Sequence, residues 1–260
     1  LPIDILPDGK TAVGLSDVVT DTNALTTMNL ATGEISVMAE HPETDLSPIM
    51  SIRNGRANEV IGAAYEYDNI DTVFFTDIED EYFAKVVQSL TNAFPNASVN
   101  INSATLDNSK IVLSVSSANH PREFYLFDAE KRALSLIIKS KPWLDKEEIP
   151  QTEIISYKTR DGLTIKALLT LPKGQKAEDL PLILLPHGGP HGPRDSLTAL
   201  NPDAKVLAEH GYAVLQPNFR GSGGYGREFL QSGYKNWGTT MINDMTDGVM
   251  HVVEEGIVDK

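Results

Sequence analysis

Apolar residues along this chain follow two different patterns. From residue 1 to about residue 142 they come in short runs, at 11–15, 25–30, 35–38, 60–65, 72–76, 111–115, 123–127 and 134–138, rich in branched and aromatic side chains and separated by turn residues. That pattern predicts short antiparallel strands. Two hairpin turns, 29–34 and 128–132, stand roughly two blades apart if a blade is ~45 residues of four strands. The expectation is a partial β-propeller, with a β-sandwich as the alternative. Residues 84–90 read equally as a strand or a short helix.

The pattern changes after a charged, proline-bracketed stretch, KPWLDKEEIPQ at 141–151, which has the composition of a linker. Residues 153–158 and 163–171 read as a hairpin around Thr159-Arg160-Asp161-Gly162, where Asp-Gly is a strong turn signal. Two unbroken apolar runs follow, 182–185 and 212–215, each too short for a buried helix and right for a strand covered on both faces. Between them lies a helical stretch carrying Val206 and Leu207 and ending at Gly211. A strand, a helix and a second strand make a parallel unit, so Ile183 and Val214 are expected on neighbouring strands. A last helix is expected to start at Asn243 as N-cap, place Met245, Val249, Val252 and Val253 inward, and stop at Gly256.

The expected organisation is therefore multi-domain: a partial all-β propeller over 1–142, a linker over 143–152, and an incomplete α/β domain with a parallel sheet over 153–260. A chain of 260 residues with 41% hydrophobic content can bury one large core or two modest ones. No apolar run approaches the ~20 residues needed to span a bilayer, and LPIDILPDGKT lacks the basic start and apolar centre of a signal peptide. Without cysteine the chain has no disulfide, no thiolate nucleophile and no Cys-based metal site. Cytoplasm and periplasm both stay open, the cytoplasm being preferred.

Net charge is −14, and it is unevenly placed: residues 1–150 hold 23 acidic and 11 basic side chains, residues 151–260 hold 13 and 11. Nucleic acid and anionic membrane need clustered Lys or Arg, so neither is an expected partner. The acidic excess reads as a solvated surface.

Chemistry in parallel sheets collects at the carboxyl ends of strands. Both glycine-rich loops lie there, His187-Gly188-Gly189-Pro190 after the first apolar strand and Arg220-Gly221-Ser222-Gly223-Gly224 after the second. Gly221, Gly223 and Gly226 satisfy G-x-G-x-x-G, with Asp244 at the distance of a ribose-binding acid. Gly233 and Gly238 interrupt the expected helix, however, which argues against a dinucleotide site. His187 and His191 are four apart, but the glycines and proline between them forbid a helix and no third ligand is near, so neither metal nor cofactor is expected. Ser222 sits in R-G-S-G-G, without nucleophile-elbow spacing, and reads as a turn residue. Arg220 is expected to brace its loop against Asp244 or Asp247. His251 reads as a surface residue of the last helix.

The runs HGGPHGP, GYAVLQPNFRGSGGYGREF and WG followed by NDMTDGV resemble the prolyl oligopeptidase family of serine peptidases, in particular its acylaminoacyl-peptidase-like branch. The PWLD linker and the FYLFD strand resemble bacterial members. The match is specific over 154–260 and general over the first half. The resemblance implies a β-propeller gating an α/β-hydrolase domain that cleaves short peptides, including removal of N-terminal or acylated residues, through an acyl-enzyme. It also implies that Ser, Asp and His of the triad follow the helix ending at Gly256, so the 260 residues are expected to be a piece lacking the triad and inactive alone. In that family the loop at His187, Gly188 and Gly189 supplies an oxyanion donor, Gly188 or Gly189, with His187 shaping the loop. Peptide is the expected substrate, with a homo-oligomer or a complementary carboxyl-terminal fragment as further partner. A lipase-type esterase and a non-catalytic propeller binding protein are the alternatives.

Overall fold

The computed structural model describes residues 1–6, 8–52 and 59–260. The chain divides into two compact units, one formed by residues 1–115, 123–139 and 224–227, the other by residues 116–122, 140–223 and 228–260.

The first unit is built from antiparallel meanders. Strands β1 (Pro2–Ile5), β2 (Thr11–Ser16), β3 (Ala24–Asn29) and β4 (Ile35–Ala39) form one four-stranded sheet in sequence order. A three-stranded sheet follows with β5 (Ser47–Met50), β6 (Val60–Glu66) and β7 (Ile70–Phe74). Helix α1 (Glu81–Asn92) leads into a second four-stranded meander of β8 (Ser98–Ala104), β9 (Lys110–Ser117), β10 (His120–Asp128) and β11 (Ala133–Lys139). The undecided stretch 84–90 is thus helical. Its apolar positions decide this: Phe83, Ala84, Val87 and Leu90 are buried at helical spacing, and the Asp80 carboxylate accepts from the Phe83 N–H as N-cap. Phe83, Ala84 and Val87 pack against Ile61 and Ile111. The short strands β1, β5 and β8 escape the sequence pattern because their apolar residues are few and only partly buried.

In the second unit, β12 (Gln151–Lys158), β13 (Thr164–Leu171), β14 (Leu182–Leu184) and β15 (Ala213–Asn218) form a sheet in the order β12-β13-β15-β14. The hairpin at Thr159-Arg160-Asp161-Gly162 pairs β12 with β13, and β13 runs antiparallel to β15. β14 and β15 are parallel with Ile183 opposite Val214, as the pattern predicts. Every residue of β15 is buried. β14 is an outer strand with Leu184 36% exposed, and Val258 bridges Leu180 in parallel beside it.

Helix α2 (Pro202–Glu209) covers one face of the sheet and α4 (Thr240–Glu254) the other, with the short α3 (Arg227–Ser232) preceding α4. Ile165, Ala167, Leu169, Ala213, Leu215 and Val252 form the α4-side core, and Ala204, Ala208 and Val214 the α2 side. Of the apolar residues of α2, Val206 is exposed, whereas Leu207 packs with the buried Ala204 and Ala208. α4 starts three residues before Asn243, with Thr239 as an N-cap whose hydroxyl donates back to the Asn236 carbonyl rather than capping the helix. Among the described residues no helix is long and apolar enough to cross a membrane.

Lys205 of α2 is buried, yet among the described residues its ammonium pairs with no carboxylate. Nζ donates instead to the Asn119 Oδ1 at 3.0 Å, the Pro150 carbonyl at 2.7 Å and the Thr152 hydroxyl at 2.7 Å. One cation thereby ties α2, the turn at 119, the linker's end and β12 together. Burial pushes its pKa down to about 8. The charged form is therefore penalised in the folded state, fully below pH 8 and not at all above the unfolded value near 10.5. Comparing the wild type with Lys205→Met by denaturant unfolding at pH 7.5 and pH 10, the wild type should gain on the order of 2–3 kcal/mol relative to the variant at the higher pH. A pH-independent difference would refute the assignment.

Candidate functional site

The loops that follow β14 and β15 meet. The Gly192 N–H donates to the Gly221 carbonyl at 3.0 Å, and the Gly223 N–H donates to the Gly192 carbonyl at 3.1 Å. These two bonds zip the loops edge to edge, with Gly192 and Ser222 forming a parallel bridge. Glycine is required at 223, since a Cβ there would lie 2.3 Å from the Gly192 oxygen.

His187 stands between the loops. Its ring stacks on Phe219, with centroids 4.5 Å apart and planes 16° from parallel. Nε2 lies 2.8 Å from the Ser222 Oγ, and Nδ1 lies 2.9 Å from the Gly188 carbonyl oxygen. Ser222 is fully buried and donates its hydroxyl to the Phe219 carbonyl at 2.7 Å. It is a turn residue, as its sequence context suggests, but a histidine beside it was not foreseeable across 35 residues of separation.

The Gly188 carbonyl is turned back onto His187, and in a planar trans peptide the following N–H points the opposite way. The Gly189 N–H therefore faces away from the imidazole. Gly188 and Gly189 are exposed, and neither N–H donates to a protein acceptor among the described residues. Gly189 holds φ at +147°, a conformation open to glycine. Two adjacent backbone donors thus stand unpaired at the carboxyl end of β14, the arrangement that binds a developing negative charge on oxygen.

Asp195, further along the same segment, is tied to β15. Its N–H donates to the Asn218 Oδ1 at 2.8 Å, and its Oδ1 accepts from the Gln216 Nε2 at 2.8 Å. Burial pushes its carboxyl pKa up, and the nearby His187 charge opposes that rise. Gln216 and Asn218, both on β15 and almost fully buried, went unremarked in the sequence because polar residues in an apolar strand carry no motif.

The second loop is braced from behind. Arg220 Nε and Nη2 contact both carboxylate oxygens of Asp244 at 2.7–3.1 Å, and the Arg220 N–H donates to Asp244 Oδ2 at 3.0 Å. Of the two expected partners, Asp244 is therefore the one used, while Asp247 takes Arg160 in a bidentate pair. Arg220 Nη2 also reaches Asp161; the Thr159 hydroxyl and then Arg220 hold the Asp161 carboxyl below its usual range. His251 is half-buried and stacked over Tyr157, at 6.0 Å between centroids.

The other sequence candidates are not assembled into sites. His191 packs edge-on against Tyr234 at 5.0 Å, and among the described residues no group of three or more His, Asp or Glu is arranged to hold a metal. α3 does begin directly after Gly226, contrary to the reason given against a dinucleotide loop. The Gly221 and Gly223 N–H groups are nevertheless committed, to the Phe229 and Gly192 carbonyls, and leave no cradle for a pyrophosphate there.

Residues 199–260 match a family model described as the prolyl oligopeptidase family. Over that stretch the chain is similar to that family. Similarity to curated proteins and solved structures extends over nearly all of its length. Dipeptidyl aminopeptidase BIII of Pseudoxanthomonas mexicana is 28% identical, covering 96% of this chain and 36% of that protein. The acylamino-acid-releasing enzyme of Sus scrofa is 34% identical over 41% of this chain and 14% of its own length. Among solved structures, prolyl oligopeptidase B from Galerina marginata shares the fold at a TM-score of 0.71 and 17% identity, covering 99% of this chain and 35% of that one. The chain spans about a third or less of the relatives it matches.

The brace behind the second loop can be tested by stability. Truncating one partner of a buried pair leaves an uncompensated charge, at a cost of about 3–5 kcal/mol, whereas apolar replacement of both is often close to neutral. Arg220→Met is expected to lose about that much in denaturant unfolding, and Arg220→Met with Asp244→Leu to recover at least half of it. Additive losses would show that the two side chains are not coupled.

Proposed function

We propose that this chain contributes the oxyanion loop and its supporting sheet to a serine peptidase that hydrolyses short peptides through an acyl-enzyme, acting at the amino-terminal end of its substrates. The observation that carries the reading is the unpaired Gly189 N–H at the carboxyl end of β14, aimed away from His187 by the capture of the Gly188 carbonyl. Gly188 and Gly189 are the donors, and His187 shapes their loop. The restriction to amino-terminal ends is supported by relatives named for releasing dipeptides and acylated amino acids. The three antiparallel meanders of the first unit are read as propeller blades that gate access, and the second unit as the first half of an α/β-hydrolase domain.

The triad, on this reading, is not among these residues. Ser222 has a histidine at hydrogen-bond distance, but its hydroxyl is fully buried and directed at the Phe219 carbonyl, where no substrate carbonyl can reach it. Acyl transfer needs an accessible serine, a histidine that takes its proton and a carboxylate orienting that histidine.

The deciding experiment is labelling with a serine-directed fluorophosphonate, followed by mass spectrometry, together with assays on dipeptidyl, acylaminoacyl and simple ester substrates. The 260-residue chain is expected to remain unlabelled. A chain extended at its carboxyl end to the length of the relatives should label on one serine and cleave the peptide substrates in preference to the ester. Stoichiometric labelling of Ser222 in the 260-residue chain, or an extended chain that hydrolyses only the ester, would overturn the proposal.

A further inference from the structure

β12 is the outer strand of its sheet, and its hairpin fixes which backbone groups face outward. In an antiparallel pair, residues alternate between turning their N–H and carbonyl toward the partner strand and turning them away. The Thr159 N–H donates to the Leu163 carbonyl at 2.9 Å, so odd-numbered residues of β12 face β13, while Thr152, Ile154, Ser156 and Lys158 face away. Both ends of this edge are capped. The Asn119 side chain accepts from the Thr152 N–H at 2.7 Å and donates to the Thr152 carbonyl at 2.8 Å, the two bonds that a neighbouring strand would make. At the other end the Arg160 N–H donates to Asp247 Oδ2 at 2.8 Å. Between the caps, Ile154, Ser156 and Lys158 keep outward N–H and carbonyl groups that no other described residue takes up.

Proteins commonly guard such an edge with a charged side chain, lysine above all. Lys158 does not guard this one, because its ammonium is folded back onto the Gly162 carbonyl and the Thr164 hydroxyl of its own hairpin. Beside the open stretch lies a cavity of about 570 Å³, lined by the stacked rings of Tyr157 and His251 and by Met250, which is 49% exposed. Glu254 lines the same cavity, and Glu153, four residues from Tyr157, lies on the same face of β12. Neither carboxylate has an ion-pair partner among the described residues, whereas Arg160 and Asp247 neutralise each other. An incoming strand therefore meets free backbone groups, an apolar cavity and net negative charge.

We propose that β12 binds an extended segment of a different protein as an added strand. Ile154, Ser156 and Lys158 supply the main-chain hydrogen bonds, the cavity at Tyr157 and His251 takes an apolar side chain, and Glu153 and Glu254 select a lysine or arginine two residues from it. A second copy of this chain fits the edge poorly. Paired antiparallel about Ser156, Thr152 of one copy would stand opposite Arg160 of the other, and Asn119 and Asp247 would claim the same space. A segment without such caps meets no obstruction. Binding here does not depend on the role of the glycine loops, so failure of either reading leaves the other standing.

The probe is acetyl-Thr-Phe-Thr-Lys-Thr-amide, blocked at both ends and added in excess to the 260-residue chain. Amide hydrogen exchange at Ser156 and Lys158, read in ¹H–¹⁵N spectra, is expected to slow about tenfold or more, while the inward-facing Ile155 and Tyr157 are unchanged. Of two peptides methylated on alternate backbone nitrogens, one on the threonines and one on Phe and Lys, one should bind about tenfold or more weakly, since it loses the donors that face β12. Replacing the peptide's lysine by glutamate should weaken binding, and Glu254→Lys should reverse that preference. Unchanged exchange at Ser156 and Lys158, or both methylated peptides binding as tightly as the parent, would overturn the proposal even if Glu254→Lys fails to fold. Indifference to the peptide's charge would overturn it too. Protection that rises with chain concentration alone, alongside a dimer in sedimentation, would assign the edge to a second copy instead.

Discussion

The buried ion pair between Arg220 and Asp244 is the constraint on which the second unit depends. Arg220 follows β15 by two residues and opens the second glycine loop; Asp244 lies in the first turns of α4. Taking both charges out of water costs several kcal/mol per ion, and attraction repays it only where geometry is good and the remaining donors and acceptors are filled. Here the geometry is good: the guanidinium is bidentate on Asp244, the Arg220 N–H adds a third donor, and Nη2 also reaches Asp161. The Tyr157 hydroxyl donates to the Asp244 carbonyl at 2.9 Å, and Gly248 lets α4 press against the same ring, since a Cβ there would sit 2.7 Å from it. The exposed Arg160–Asp247 pair one turn on is screened by water and adds much less.

Because the pair fixes where the loop after β15 begins, it also fixes the loop after β14. Gly221 and Gly223 reach Gly192 only if Arg220 holds its place, and Gly192 limits how far the His187–Pro190 segment can stray. Helix, ion pair, second loop and first loop form one mechanical series. Each link is a short contact that a single Cβ or a single missing charge would lengthen.

The sequence carried the parts of this series that follow a period and was silent on those that depend on meeting in space. Alternating and continuous apolar runs located β12, β13 and β15 and the parallel pairing of Ile183 with Val214, because a side-chain period of two residues is written directly in the chain. Arg220 could be matched to two acids because charged residues in an otherwise apolar segment demand partners, but the choice of Asp244 over Asp247 depended on which helix face met the sheet. β1, β5 and β8 were lost because half-exposed strands keep little apolar signal, and α1 was ambiguous because Val86 and Val87 favour strands locally while Phe83 and Leu90 supply the helical spacing. The glycines at 188 and 189 were legible as a loop of special backbone. His187 beside Ser222, and Asp195 beside Gln216, were not: neither spacing nor composition indicates which polar side chains two loops bring together.

A backbone N–H intended for a substrate oxygen has to remain unpaired at rest, and an unpaired buried donor is costly. The loop after β14 reconciles these demands by exposure rather than burial. Gly188 and Gly189 face solvent, so water satisfies their donors until a ligand displaces it, while the Gly188 carbonyl is engaged with His187. What must be rigid is the orientation of one peptide plane, and a glycine pair has little stiffness of its own. Stiffness therefore has to be imported from the sheet. Phe219 provides a flat support under the imidazole, Ser222 a fixed oxygen at one edge, and the Gly188 carbonyl is held at the other.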